Sequence, residues 1–358
     1  MDNCEYTVYL GTYSEPILMG SGEVVPGKGK GLYLAKFDGT QLNAINAAPM
    51  VNPSYACVDP ERQIIYAVNE QKTFKGEKGG GYTQIRYDDS GNMEIAGEGF
   101  THAEDPCHIV LLPDKSFLSI TNFSGQHVTF VPLDERGNIC PDRSVNFFHP
   151  GSGPKPRQEK SHPHCTVVPP DSDLVYVADL GEDRLAAYRR GTGSILPAPE
   201  EDIHDQPGYG PRAAEFSKDG KHLYVICEIV NKVLHMNKAD GEWKTLQEES
   251  IVPEGHTGWS LGADLHLSRD GKTLYASHRG SNTIIVFRVR EDGSMEKIQV
   301  TASGGEIPRM FNITPDGKYL LCGNQDSDNI AVFEVDSEGK LTEKGVRDFP
   351  TPVFIGFI

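Results

Sequence analysis

The sequence predicts an all-β fold, a seven-bladed β-propeller built from four-stranded antiparallel blades. A pattern of short apolar strands recurs at a period of about 50 residues, which is the length of one propeller blade. Polar turns separate four strands in each repeat, and no helical periodicity persists beyond a turn or two. The second strand of each repeat is predicted to end at Thr12, Asn69, Asn122, Asp179, Cys227, His278 and Asn324.

The start of each first strand is marked by a Pro or Gly. These positions are Pro53, Pro106, Pro163, Pro211, Gly262, Pro308 and Pro352. The N-terminal repeat has no first strand of its own before Tyr6, so we expect the C-terminal segment 352–358 to supply it and close the ring. Closure would leave no exposed sheet edge. Residues 1–358 are therefore predicted to form a single propeller domain.

The composition excludes several classes of function. With 51 acidic and 34 basic residues, the net charge is −17, which disfavours binding to nucleic acid or to an anionic membrane surface. The first ten residues carry neither a secretory signal nor a membrane span, so a cytoplasmic location is expected. We also expect a monomer. The seven cysteines form no C-x-x-C pair, which argues against a disulfide framework and a thiolate zinc site.

A cluster of polar side chains is expected at one mouth of the ring, where first strands begin and second strands end. The residue after the opening position of a first strand and the residue after a second strand should lie there together. A purely structural role predicts small apolar or neutral polar residues at these positions, as repeats one to three mostly have, but repeats four to seven place six polar or ionisable side chains there. They are His164, Arg212, Glu228, Arg279, Arg309 and Gln325, and Glu70 holds the same position in repeat two.

Three insertions map to the same mouth and are rich in basic residues. Residues 14–30, 71–81 and 151–161 carry Lys28, Lys30, Lys72, Lys75, Lys78, Lys155, Arg157 and Lys160. In a chain this acidic, a basic rim would attract a small anion. Ordinary solvated lysines are the alternative interpretation.

A metal site is not predicted. His162 and His164 alternate on one strand and could share a face, but no third ligand recurs at a suitable spacing. Asp264-x-His266 falls in the wrong half of its own strand to complete such a site. Neither a metal nor an organic cofactor is therefore expected.

Four segments resemble the seven-bladed propeller lactonases, a family that includes 6-phosphogluconolactonase and the carboxymuconate lactonizing enzyme. They are Ser161-His162-Pro163-His164, Gly210-Pro211-Arg212, His278-Arg279-Gly280 and residues 323–330. The resemblance implies a carboxylic ester hydrolase of carbohydrate metabolism, acting in the pentose phosphate pathway on a small anionic lactone. It places catalytic and substrate-binding roles on His164, Arg212, Glu228 and Arg279. The chain departs from the family pattern at Cys227, His278 and Ala213.

Lactone hydrolysis requires a base that activates water, a positive charge where the carbonyl oxygen becomes an oxyanion, and a group that holds the rest of the substrate. We expect Glu228 or His164 to activate water and Arg212 to stabilise the oxyanion. Arg279 and Arg309 would bind a phosphate or carboxylate. The further expected substrate-binding residues are His162, Gln325 and Glu70. A muconate cycloisomerase using the same residues and a non-catalytic ligand-binding propeller are the alternative functions.

Overall fold

Strands make up nearly all the regular structure of the computed structural model, which describes residues 5–18, 24–239 and 241–358. The helices within these ranges are three short 3-10 turns, Pro141–Arg143, Pro156–Gln158 and Pro199–Glu201. None of the helices in this part of the chain has the length or apolarity needed to cross a membrane. Residues 1–4, which contribute to the expectation of a cytoplasmic location, lie outside the described residues.

The chain divides into two compact units, of which the first contains residues 1–149, 323–330 and 346–358. Three four-stranded antiparallel sheets belong to it. Blade one consists of Pro352–Phe357, Tyr6–Thr12, Gly31–Phe37 and Leu42–Pro49. Blade two consists of Ala56–Asp59, Ile64–Asn69, Gly81–Tyr87 and Met93–Phe100. Blade three consists of Pro106–Leu111, Phe117–Asn122, His127–Pro132 and Val145–Phe148.

Two small ribbons extend from loops of the first unit. They are the pairs Pro16–Leu18 with Val24–Pro26 and Thr73–Phe74 with Glu77–Lys78.

The C-terminal strand completes blade one, as the sequence predicts. Pro352–Phe357 runs antiparallel to Tyr6–Thr12, with Val8 opposite Phe357 and Leu10 opposite Ile355. The side chains of Val8, Leu10 and Ile355 are fully buried, so this pairing is part of the core as well as a backbone ladder.

The second unit contains residues 150–322 and 331–345. Blade four consists of Pro163–Val167, Leu174–Asp179, Arg184–Gly191 and Ser194–Pro197, with Ile203–His204 paired to its third strand. Blade five consists of Pro211–Phe216, His222–Cys227, Lys232–Ala239 and Glu242–Ser250. Blade six consists of Leu261–Leu267, Thr273–Arg279, Thr283–Val289 and Met295–Ala302.

A seventh sheet consists of Pro308–Ile313, Tyr319–Asn324, Asn329–Val335 and Leu341–Asp348, and its residues are divided between the two units. In the second unit, the first strands of blades four to seven pack side by side in sequence order. This packing brings together the residues at the beginning of each first strand.

A tyrosine on the second strand recurs as a link between neighbouring blades. Its buried hydroxyl donates to the carbonyl of a glycine in the turn between the third and fourth strands of the next blade. The pairs are Tyr66 with Gly137 (2.6 Å), Tyr224 with Gly293 (2.8 Å) and Tyr275 with Gly339 (2.8 Å). Each of these glycines has a positive φ, between 77° and 83°, which explains why the turn requires glycine. The links join blade two to blade three, blade five to blade six and blade six to blade seven.

The strand boundaries agree with the sequence prediction at most positions. The second strand of blade six ends at Arg279 instead of His278, because Leu261 pairs opposite Arg279 and lengthens the ladder. The first strand of blade two begins at Ala56 instead of Pro53. There the chain first makes a tight turn at Asn52, whose carbonyl accepts the N–H of Ser54 at 2.8 Å.

Candidate active site

Glu228 lies directly after the second strand of blade five and is 1 % exposed. Its backbone N–H donates to the carbonyl of Gly210 (2.8 Å), and its own carbonyl accepts the N–H of Gly262 (3.2 Å). The backbone of Glu228 is therefore held between the entry to blade five and the entry to blade six. The position from which the side chain extends is therefore fixed.

Three guanidinium groups surround the Glu228 carboxylate. Its Oε1 accepts a hydrogen bond from Nη2 of Arg157 at 2.5 Å. Its Oε2 accepts one from Nη2 of Arg279 at 2.7 Å, and Nε of Arg212 lies 3.1 Å from the same oxygen. We refer to Glu228 with these three arginines as the Glu228 cluster. The cluster combines residues from the loop before blade four, from blade five and from blade six.

Two of the arginines have a second anchor in the backbone. Nη2 of Arg279 also donates to the carbonyl of Gly262 at 2.8 Å, and Nη1 of Arg212 donates to the carbonyl of Ala263. The Nε of Arg279 is buried and, within the described part of the chain, has no hydrogen-bond partner. A buried donor of this kind is suited to an incoming acceptor.

The charge state of Glu228 follows from these contacts. Burial on its own would raise the pKa of Glu228, but the three guanidinium groups, Arg279 foremost, favour the charged form more strongly. The pKa is held well below its ordinary value of 4.5. Glu228 is therefore a permanent carboxylate whose lone pairs face arginines, which is unfavourable for accepting a proton from water.

His164 follows Pro163 at the start of the first strand of blade four and is half-buried. Burial lowers its pKa well below 6.5, and the positive charge of Arg212 lowers it further. Glu228 opposes these effects only in part. His164 is therefore neutral at neutral pH, so its imidazole is available to accept a proton.

Arg309 follows Pro308 on the first strand of blade seven and is half-buried. Its charge lowers the pKa values of both His164 and Arg279, so it belongs to the same electrostatic environment. Asp264 belongs to this environment too, because burial raises its pKa but His266 first, and Arg212 further, lower it. Four arginines thus outnumber the two carboxylates, Glu228 and Asp264, in this region.

The remaining predicted site residues each have polar contacts of their own. Nε2 of His162 is 3.2 Å from Oε1 of Glu159. Glu70, in the first unit, accepts the hydroxyl of Tyr13 at 3.0 Å. Gln325, also in the first unit, donates to Asp326 at 2.7 Å. Substrate roles for His162, Glu70 and Gln325 remain predictions.

Gln325 lines a cavity of 480 Å³ in the first unit, the other lining residues being Val24, Val25, Pro26, Lys28, Asp326, Asp328 and Thr351.

Asp264 and His266 form an ion pair of their own. Nε2 of His266 lies 3.1 Å from Asp264, and its Nδ1 lies 3.5 Å from Glu215. Burial would lower the pKa of His266, but Asp264 and Glu215 raise it to about 10. His266 is therefore a charged partner for two carboxylates.

Arg157 was not predicted as a member of the site. Its sequence position indicates only the basic rim, because its loop is an insertion without a counterpart in the other repeats. A usable signal was its position in a basic segment five residues before His162. Among the rim residues predicted from the sequence, Arg157 is the one that contacts Glu228 in the structure.

Two of the departures from the family pattern lie next in sequence to members of the cluster. Cys227 donates its thiol to Asp205 at 3.0 Å, and Nδ1 of His278 lies 2.6 Å from the hydroxyl of Ser281. Cys227 and His278 hold loops, whereas the residues that follow them, Glu228 and Arg279, contribute to the Glu228 cluster.

Comparison with known proteins identifies the family. Residues 7–357 match the family described as Lactonase, 7-bladed beta-propeller. This chain belongs to that family. The sequence-based predictions of a seven-bladed β-propeller and of an enzyme, a carboxylic ester hydrolase, are therefore confirmed.

Individual lactonases support the assignment. The chain is 29 % identical to the 6-phosphogluconolactonase of Bacillus subtilis over 320 residues, which cover 87 % of this chain and 86 % of the relative. The crystal structure of a putative 6-phosphogluconolactonase from Bacteroides fragilis is 29 % identical with a TM-score of 0.88, covering 100 % of this chain and 98 % of that one. The periplasmic gluconolactonase of Pseudomonas aeruginosa is 28 % identical with a TM-score of 0.89, covering 99 % of both chains.

Replacing Glu228 in this lactonase should destabilise it in a pH-dependent way. Glu228→Gln leaves three guanidinium groups without their counter-charge and should cost about 3–5 kcal/mol at pH 7. Because the pKa of Glu228 is lowered in the folded state, the extra stability of the wild type over Glu228→Gln is fully present above the pKa of the unfolded chain, about 4.5. Below that pH, the difference in free energy of unfolding between the two proteins should fall by about 1.4 kcal/mol per pH unit.

Urea unfolding of both proteins at pH 7 and at pH 3.5 measures this difference. The exposed Glu254 provides the matched control, and Glu254→Gln should change the free energy of unfolding by less than about 0.5 kcal/mol. A Glu228→Gln penalty that is equal at the two pH values would show that Glu228 is not a depressed carboxylate.

Proposed function

We propose that this lactonase hydrolyses 6-phosphogluconolactone to 6-phosphogluconate, a step of the pentose phosphate pathway, without a metal ion. The observation that carries the proposal is the excess of guanidinium groups over carboxylates around Glu228. Buried arginines without a counter-charge are costly unless an anion joins them. A phosphate ester supplies that charge, whereas a neutral sugar lactone does not.

The names of the relatives both indicate a sugar lactone as substrate, but only one of the two names includes a phosphate group. The Bacillus subtilis relative is named 6-phosphogluconolactonase, and the Pseudomonas aeruginosa neighbour is named a gluconolactonase. Sequence identities of 28–29 % do not distinguish these two substrates. The local charge favours the phosphorylated lactone for this chain.

Each chemical role can be assigned to a side chain with a suitable charge state. His164, neutral at neutral pH, takes a proton from water as the water attacks the lactone carbonyl. Arg212, whose charge acts on His164, stabilises the oxyanion that forms. His164 then returns the proton to the ring oxygen as the carbon–oxygen bond breaks, which leaves the carboxylic acid. The acid releases its remaining proton to solvent and becomes the carboxylate product.

Binding of the phosphate is assigned to Arg279 and Arg309. Arg279 has a buried Nε that can donate to a phosphate oxygen while its Nη2 stays on Glu228. Glu228 acts as a positioning residue, because its carboxylate sets the orientation of Arg212 and Arg279. The structural contacts favour His164 over Glu228 as the base, two alternatives that the sequence left open.

A kinetic comparison of three substrates tests the proposal. The protein should hydrolyse freshly generated 6-phosphogluconolactone with a kcat/KM about 100-fold above that for glucono-δ-lactone, because the neutral lactone offers the arginines no phosphate to bind. A carboxymuconate should not be converted. Spontaneous hydrolysis is subtracted in each case.

The same assay after treatment with a chelator and desalting should give unchanged rates. Loss of activity that zinc, manganese or calcium restores would contradict the metal-independent mechanism. Equal rates on the two lactones, or conversion of the muconate alone, would contradict the proposed substrate.

His164→Gln should lower kcat by about 10²- to 10⁴-fold with little change in KM, because glutamine cannot accept the proton. Since burial and Arg212 lower the pKa of His164, the wild-type kcat/KM should stay level down to pH 6.5 and fall only below it. His204, which is exposed on blade four, provides the control, and His204→Gln should retain full activity. Near-normal kcat in His164→Gln would remove His164 from the base role.

A further inference from the structure

The three arginines on Glu228 differ in their access to solvent. The side chains of Arg212 and Arg279 are each 7 % exposed, and both are tied to backbone carbonyls of blade six. The side chain of Arg157 is 30 % exposed and binds the other carboxylate oxygen, Oε1. Arg157 therefore forms the solvent-facing side of the cluster.

The backbone of Arg157 is rigidly placed despite lying in a loop. It occupies the middle of the 3-10 turn Pro156–Gln158, and Gln158 is fully buried. The amide of Gln158 donates to the carbonyl of Leu180 (2.8 Å) and to the carboxylate of Asp183 (2.6 Å). The side-chain oxygen of Gln158 accepts the N–H of Lys155 at 3.2 Å. The turn is thus anchored by the residue next to Arg157.

The same anchor reaches the backbone of the cluster. Asp183 accepts the N–H of Gly210 at 2.8 Å, in addition to the amide of Gln158. The carbonyl of Gly210 in turn accepts the N–H of Glu228. One buried carboxylate therefore fixes both the turn that carries Arg157 and the segment that leads to Arg212 and Glu228.

We propose that Arg157 is a specificity residue that exchanges Glu228 for the phosphate group of the incoming substrate. The inference rests on the proposed function, because it assigns the phosphorylated lactone a further contact. Glu228 keeps Arg279 and Arg212 on Oε2, so releasing Arg157 leaves no isolated buried charge. The planar guanidinium of Arg157 can then pair with two phosphate oxygens, and the fixed turn limits the entropy lost.

The exchange separates the roles of the arginines. Arg212 and Arg279 remain on the carboxylate throughout, whereas Arg157 contacts Glu228 in the empty site and phosphate in the occupied one. A substrate without a phosphate offers no anion that competes with Glu228 for Arg157. Discrimination between phosphorylated and neutral lactones should therefore depend on this residue.

Steady-state kinetics of Arg157→Gln on the two lactones tests the inference. KM for 6-phosphogluconolactone should rise about 10- to 100-fold with kcat within about threefold of wild type, because a charge-assisted contact is lost. The kcat/KM for glucono-δ-lactone should stay unchanged. Arg157→Lys keeps the charge but lacks the planar guanidinium. Its KM for 6-phosphogluconolactone should lie between those of the wild type and Arg157→Gln.

Lys218→Gln removes the same charge from an exposed turn of blade five, outside the basic rim, and provides the matched control. Lys218 is exposed, so this variant should stay within about twofold of wild type on both lactones. A loss in Arg157→Gln that is equal for the two lactones would indicate a structural role and overturn the inference. Wild-type kinetics in Arg157→Gln would overturn it as well.

Calorimetry with the product distinguishes failure of this inference from failure of the proposed function. If wild-type protein hydrolyses neither lactone, binding of 6-phosphogluconate, gluconate and inorganic phosphate still tests Arg157. Binding of 6-phosphogluconate and phosphate that weakens about 10- to 100-fold in Arg157→Gln, with gluconate unaffected, would support the exchange without the reaction. Absence of phosphate binding in the wild type, or binding independent of Arg157, would overturn it.

Discussion

The buried carboxylate of Glu228 is the interaction on which the rest of the site depends. Three guanidinium groups from separate segments converge on it, and without its charge they would repel one another in a place with little access to water. Because the arginines lower its pKa far more than burial raises it, the carboxylate stays charged through the neutral and mildly acidic range. The same contacts that make Glu228 a good counter-ion make it a poor base.

In blades four to six, a residue at or next to the end of the second strand holds a loop. Asp179 accepts the hydroxyl of Ser161 at 2.5 Å and the N–H of His162 at 2.8 Å. Cys227 bonds to Asp205, and Nδ1 of His278 lies 2.6 Å from the hydroxyl of Ser281. In blades five and six, the charged residue that joins the cluster stands immediately after such a loop-holding position. Sequence changes at the loop-holding positions, such as Cys227, alter how a loop is secured and leave the charged group in place.

Much of the site could be predicted from the sequence because it follows the repeat. His164, Arg212 and Arg309 each follow the opening proline of a first strand, and Glu228 and Arg279 occupy the same place in consecutive blades. Arg157 could not be predicted in this way, since its loop is an insertion and its orientation depends on the amide of a buried glutamine. The choice between Glu228 and His164 as base also lay beyond the sequence, because it depends on how many arginines contact one carboxylate.

The ionisation of Glu228 in the folded protein is the most direct test of this account. The side-chain carboxyl carbon of Glu228 can be followed by ¹³C NMR in protein labelled at glutamate, with the Glu228→Gln variant identifying its signal. The account predicts no titration of this signal between pH 7 and pH 4, because the arginines hold the pKa well below 4.5. A titration with a midpoint at or above 4.5 would contradict it and return Glu228 to the role of base.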